Sequence, residues 1–238
     1  MTQAQSPGPL GILGGTFDPI HNGHLRLGEE AIQQLSLTHI RFIPAGQPPL
    51  RDTPSVSANH RLAMVRLATS ANPRFDVDDS EVTATQPSYS VDTLTRLRNE
   101  IGPLRSLVLL LGKDAFERLA QWHRWQEIFS LAHIAVATRP DNKALSSPVG
   151  AGDTPSSSGV TGNTPLECAS ALAKEVRQRH GSAVDLATSP SGRIVPFTIP
   201  ALDISATAIR RQLKAGHQPR YLVADTVVSY IESHQLYR

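Results

Sequence analysis

Apolar residues along this chain fall into two alternating rhythms. Short apolar runs stand at Leu10–Leu13, His39–Pro44, Phe75–Val77, Ser106–Leu111, His133–Ala137 and Arg193–Ile199. Between them, apolar positions recur at helical spacing: Leu25, Gly28, Ala31, Ile32 and Leu35, then Ala58, Leu62 and Val65, then Leu94, Leu97 and Ile101, and a further helix near Leu166 to Arg179. Ser106–Leu111 and His133–Ala137 are continuous runs, as a strand buried on both faces of a parallel sheet requires. Such alternation predicts an α/β fold, a Rossmann-like doubly wound parallel sheet with helices on both faces. Ser205 is placed to cap a helix carrying Ile209 and Leu213, and Val223, Val227, Tyr230 and Ile231 form a second stripe, so residues 200–238 are expected to be a small helical part.

The rhythm breaks between Asp141 and Pro165, where Ser, Gly, Pro, Thr and Asp dominate and no aromatic residue occurs. Such a stretch buries too little apolar surface to offset its ordering entropy and reads as a flexible insertion in a single domain over residues 8–238. With 238 residues, the chain is long enough for one substantial core. A formal net charge of +2, with basic residues scattered along the chain, gives no electrostatic footprint for bulk nucleic-acid binding. The lone Cys168 suits a reducing compartment, and neither a secretory leader nor a membrane-spanning run is visible. A soluble cytoplasmic protein is expected.

The most informative segment runs Gly14-Gly15-Thr16-Phe17-Asp18-Pro19-Ile20-His21-Asn22-Gly23-His24, where the first strand hands over to the first helix. Free backbone N–H groups at such a junction attract phosphate, glycines permit close approach, and imidazoles add donors to developing negative charge. Zinc is the rival for His21 and His24, but no thiolate or third ligand stands nearby in sequence. Thr16 reads as a donor or a plain turn residue, and Asp18, before a proline, as a turn or capping acid rather than a general base.

Three other clusters carry possible chemistry. In Asp203-Ile204-Ser205-Ala206-Thr207-Ala208-Ile209-Arg210, a capping hydroxyl and a cation one to two turns later suit a second phosphate contact, or simply a helix start. Pro87-Ser88-Tyr89-Ser90 and Trp122-His123-Arg124-Trp125 pair a helix start with the chain's two tryptophans; Trp122 is the candidate for stacking on a planar ring, and Trp125 the candidate for core packing. Gly112-Lys113-Asp114 follows the strongest strand, where open α/β sheets bind ligands; Asp114 reads as a ribose acceptor, a helix cap, or both.

Together these residues resemble the bacterial nicotinate-nucleotide adenylyltransferases of the nucleotidylyltransferase superfamily, whose Thr/His-x-Gly-His signature is matched by His21-Asn22-Gly23-His24. The narrower match lies in Gly14–Pro19, Pro48-Pro49, Arg61, Met64, Pro87–Ser90, Gly112-x-Asp114, Trp122, Ile204–Arg210 and the ending Tyr230-Ile231 through Tyr237-Arg238. The resemblance implies transfer of AMP from ATP to nicotinate mononucleotide, giving nicotinate adenine dinucleotide and pyrophosphate by direct in-line displacement. It implies that Gly14, Gly15, Thr16, Phe17, His21, His24, Gly112, Asp114, Ile204, Ser205 and Arg210 hold ATP, with His21, His24 and Arg210 catalytic. Arg51, Tyr89, Ser90, Trp122 and His123 would hold the acceptor, and Mg²⁺ would ride on the ATP phosphates rather than in a protein metal site. One departure is clear: the family usually has histidine before a basic residue after the paired prolines, and this chain has Leu50 before Arg51. The rival readings are an adenylyltransferase acting on pantetheine phosphate or nicotinamide mononucleotide, and a non-catalytic nucleotide-binding module.

Overall fold

The computed structural model describes residues 8–48, 53–140 and 165–238, with side chains from residue 170 in the last stretch. Leu50, Arg51 and the insertion proposed from sequence lie outside the described residues, apart from Pro165. The elements run β1 (Leu10–Gly15), α1 (Asn22–Leu35), β2 (His39–Pro44), α2 (Ala58–Thr69), β3 (Phe75–Val77), α3 (Ser80–Thr83), α4 (Ser90–Ile101), β4 (Leu107–Gly112) and α5 (Lys113–Glu117). They continue with α6 (Ile128–Leu131), β5 (His133–Thr138), α7 (Pro165–Arg179), α8 (Ala183–Thr188), β6 (Ile194–Thr198), α9 (Ala206–Lys214) and α10 (Asp225–Ser233). All strands are parallel, in the order β3-β2-β1-β4-β5-β6, which is the doubly wound arrangement expected.

Side chains of successive strand residues point to opposite faces, and the apolar runs divide accordingly. Leu13, Phe42, Val108, Leu110, Ala135 and Phe197 face one core, against Ala31 and Ile32 of α1, Met64 and Val65 of α2, Ile209 of α9 and Val227 of α10. Leu10, Ile12, Leu109, Leu111, Ile134 and Val136 face the other, against Leu94 and Leu97 of α4, Phe116 of α5, and Ile128 and Phe129 of α6. Continuous runs in sequence therefore mean two cores, one on each side of the sheet.

Local differences from the expected elements have local causes. Arg124 adopts φ 50°, so the stretch read as one helix around Trp125 is a 3₁₀ turn over Trp125–Glu127 followed by the four-residue α6. Trp125 is nonetheless buried, as its packing role requires. Val223 packs in the core but precedes α10, which begins at Asp225.

Candidate active site

Strand order reverses between β1 and β4, and a crevice of about 970 Å³ opens there beyond their carboxyl ends. Each residue assigned to ATP or acceptor from sequence, other than Arg51, lines it.

One wall is the turn from β1 into α1. His21 is the N-cap of α1 and is 8% exposed; His24 stands in the first turn, with its ring stacked on that of His21 at 3.7 Å between centroids. The edge of the Phe17 ring approaches His24 at 5.0 Å, so Phe17, 3% exposed, buttresses the imidazole. His24 Nδ1 accepts the backbone N–H of His21 at 3.2 Å, which requires an unprotonated Nδ1 and leaves Nε2–H as the neutral ring's donor. Burial pushes the His21 pKa down to about 4 and drives that of His24 well below its ordinary value, the latter aided by repulsion from His21. Both rings are thus neutral at pH 7 in the free protein. His21 Nδ1 is buried and unpartnered among the described residues.

Gly23 lets the next wall close in. A Cβ there would stand 3.0 Å from His21 Nδ1, 3.2 Å from His21 Cε1 and 3.8 Å from Cβ of Ile204. Ile204 leads into α9, where the Ser205 hydroxyl accepts the Ala208 N–H at 3.2 Å, the capping role read from sequence, and keeps its own O–H free to donate outward. Arg210 donates Nη1 to the Asp18 carbonyl at 2.7 Å, so its guanidinium lies beside the first turn.

The floor is fixed from beneath by Arg61. This side chain is 1% exposed and donates to the carbonyls of Thr16 at 2.6 Å, Ala45 at 2.6 Å and Gly46 at 2.9 Å, tying the β1 turn to the loop after β2. Asp18 is the residue whose importance the sequence hid. It is 6% exposed and accepts from the Ser55 N–H and from the Tyr237 hydroxyl, each at 2.7 Å.

The far wall carries the aromatic cluster. Tyr89, not Ser90, is the N-cap of α4 and supplies no side-chain acceptor, so first-turn N–H groups there remain for a ligand. The Tyr89 and His123 rings meet at 4.5 Å, joining two segments paired from sequence. Trp122 packs one side on the second core and also lines the crevice. Gly112 and Asp114 sit between the walls, at the end of β4 and the start of α5. Lys113, Arg118 and Arg139 add cations to the lining that the sequence reading had not assigned. The crevice can therefore hold a polyanion between two imidazoles, two helix starts and Arg210, with a planar ring at its aromatic end. Among the described residues, no three or more His, Cys, Asp or Glu side chains stand together as a metal site.

Comparisons agree with that chemistry. Residues 12–212 match the family described as cytidylyltransferase-like. A relative from Dechloromonas aromatica is 51% identical over 97% of this chain and 98% of its own length, and one from Pseudomonas putida is 40% identical over 100% and 99%; both are named "Probable nicotinate-nucleotide adenylyltransferase". Among solved structures, Plasmodium falciparum nicotinic acid mononucleotide adenylyltransferase complexed with NaAD shares the fold, with a TM-score of 0.67, 15% identity and 97% coverage of each chain. With relatives this similar along nearly its whole length, the chain belongs to the nicotinate-nucleotide adenylyltransferase family of cytidylyltransferase-like proteins.

Proposed function

We propose that this protein transfers AMP from ATP to nicotinate mononucleotide, yielding nicotinate adenine dinucleotide and pyrophosphate for NAD synthesis. The observation that carries the reading is the gathering of the phosphate turn, the Ile204–Arg210 segment and the Tyr89–Trp122 cluster around one crevice. An oxygen of the acceptor phosphate attacks the α-phosphorus of ATP as the bond to the bridging oxygen of pyrophosphate breaks. That displacement needs no enzyme nucleophile; it needs alignment and stabilisation of charge on the transferring and leaving oxygens. His24 Nε2–H, the His21 ring, the Ser205 hydroxyl and Arg210 are the donors for the phosphates, with Gly14, Gly15 and Thr16 lining their approach. Gly112, Asp114 and Ile204 flank the adenosine. Trp122 stacks on the nicotinate ring, and the first-turn amides of α4, at Ser90, meet its carboxylate, with Tyr89 and His123 closing the pocket.

ATP brings Mg²⁺ on its own phosphates as part of the substrate. The donor set here, imidazole N–H, guanidinium and hydroxyl, suits phosphate oxygens rather than a hard cation. No described helix is long and apolar enough to cross a membrane, and we place the reaction in the cytoplasm. The related P. falciparum structures, complexed with NaAD and with APC, support a dinucleotide product and a nucleotide donor.

The test is an acceptor panel with ATP and Mg²⁺, following pyrophosphate release and the dinucleotide formed. Turnover should be highest with nicotinate mononucleotide, above nicotinamide mononucleotide. Activity with pantetheine phosphate alone would overturn the reading, and tight ATP binding without pyrophosphate release would favour a binding module.

A further inference from the structure

The turn that meets the phosphates is gripped from outside by the segment after β6. Asn22 donates its backbone N–H to the Leu222 carbonyl at 2.8 Å and its side-chain amide to the Tyr221 carbonyl at 2.7 Å. Asp18 is held at both carboxylate oxygens, Oδ1 by the Tyr237 hydroxyl and Oδ2 by the Ser55 N–H. Tyr237 is 6% exposed, with its ring packed in the first core, so its hydroxyl reaches Asp18 from a fixed base. Arg210 bonds to the Asp18 carbonyl, yet its Nη1 stays 3.9 Å from the carboxylate Oδ2. A buried carboxylate and a guanidinium that close would form a tight, charge-assisted pair if the carboxylate were free to turn. An Arg210 neutralised in that way would have less to offer an anion in the crevice.

We propose that Tyr237 is a positioning residue for the AMP-transfer reaction: by pinning the Asp18 carboxylate, with Ser55, it keeps Arg210 unpaired for the substrate phosphates and the turn in register. The inference rests on the proposed function. It assigns a task to the Leu236-Tyr237-Arg238 ending, which the resemblance marked without a role. Burial, then the hydrogen bond to Asp18, raises the Tyr237 pKa, so the hydroxyl stays a donor across the working pH range.

Tyr237→Phe keeps the ring and removes only the donor. At saturating substrates its kcat is expected to fall about three- to tenfold, the size of one hydrogen bond to a charged group, while the acceptor KM stays within twofold. Introduced into Asp18→Asn, which removes the competing charge, the same change should cost less than twofold. Full turnover in Tyr237→Phe, or losses that multiply independently in the double variant, would overturn the proposal. Amide hydrogen exchange gives a readout apart from activity: residues 21–24 should exchange faster in Tyr237→Phe while 133–138 keep wild-type protection. Unchanged exchange at the turn would also overturn it. Wild-type protein that forms no dinucleotide with any acceptor would sink the functional reading itself, and the exchange experiment would still decide whether Tyr237 holds the turn.

Discussion

Arg61→Met removes a buried guanidinium while keeping an apolar stem of similar reach. Three carbonyls, of Thr16, Ala45 and Gly46, lose their donor at once. A buried acceptor left without a partner costs about 1–3 kcal/mol, giving a gross loss of roughly 3–9 kcal/mol. Thr16 and Ala45 line the crevice, where water can recapture part of this. Asp18, whose charge interacts with Arg61, loses a compensating cation; removing one member of a buried pair costs about 3–5 kcal/mol. A net loss of about 3–5 kcal/mol is therefore expected, against a total stability on the order of 5–15 kcal/mol. With a urea slope of about 2 kcal/mol/M, the unfolding midpoint followed by far-UV circular dichroism should drop by about 2 M. Turnover below the transition should fall as well, because the same bonds fix the β1 turn. A midpoint shift under about 0.5 M would refute the view that Arg61 fastens the two loops, and Arg61→Lys should fall between the variant and wild type, since a single ammonium cannot reproduce the planar fork.

Three further outcomes are expected. His24→Ala should lower kcat by about 10²–10³, the scale of one lost transition-state donor, with the fold intact by circular dichroism; unchanged turnover would remove it from the reaction. Trp122→Ala should raise the acceptor KM roughly 5- to 100-fold, from a stacking contribution of about 1–3 kcal/mol, and leave that for ATP nearly unchanged; equal losses for both substrates in steady-state kinetics would mark a packing role. Stability should fall as pH drops from 6.5 towards 4, because the unfolded chain takes up a proton at His21 in that window while the folded one resists it until about pH 4. The loss is on the order of 3 kcal/mol from His21, and urea midpoints of His21→Asn should show a flatter slope there; an identical slope would contradict the buried neutral ring.

The sheet was legible because parallel strands buried on both faces must be apolar without a break, and Leu107–Gly112 and His133–Thr138 are. Helices of three turns showed their period, whereas α3 and α8, of four and six residues, are too short to carry one. Within the site, His21, His24, Ser205 and Trp122 were legible because each lies in a compact motif. Asp18 was not. Its partners Ser55, Arg210 and Tyr237 lie 37, 192 and 219 residues away, and no local pattern records contacts at that separation. Arg61 escaped for the same reason: in sequence it is one more arginine on an amphipathic helix, and only the fold turns it inward.

The division of the core has a consequence for alignment. The elements proposed to grip the phosphates, α1 and α9, pack on one side of the sheet, whereas α4 and the Trp122 region pack on the other. Donor and acceptor would thus be carried by opposite layers and would meet over the sheet's upper rim. Their separation would then be a thickness, set by side chains stacked between layers and held to the tolerance of a close-packed solid. A methyl group lost from the middle of β4, far from any ligand, would be felt as a misfit between the two reactants, so the interior of this protein is also its alignment gauge.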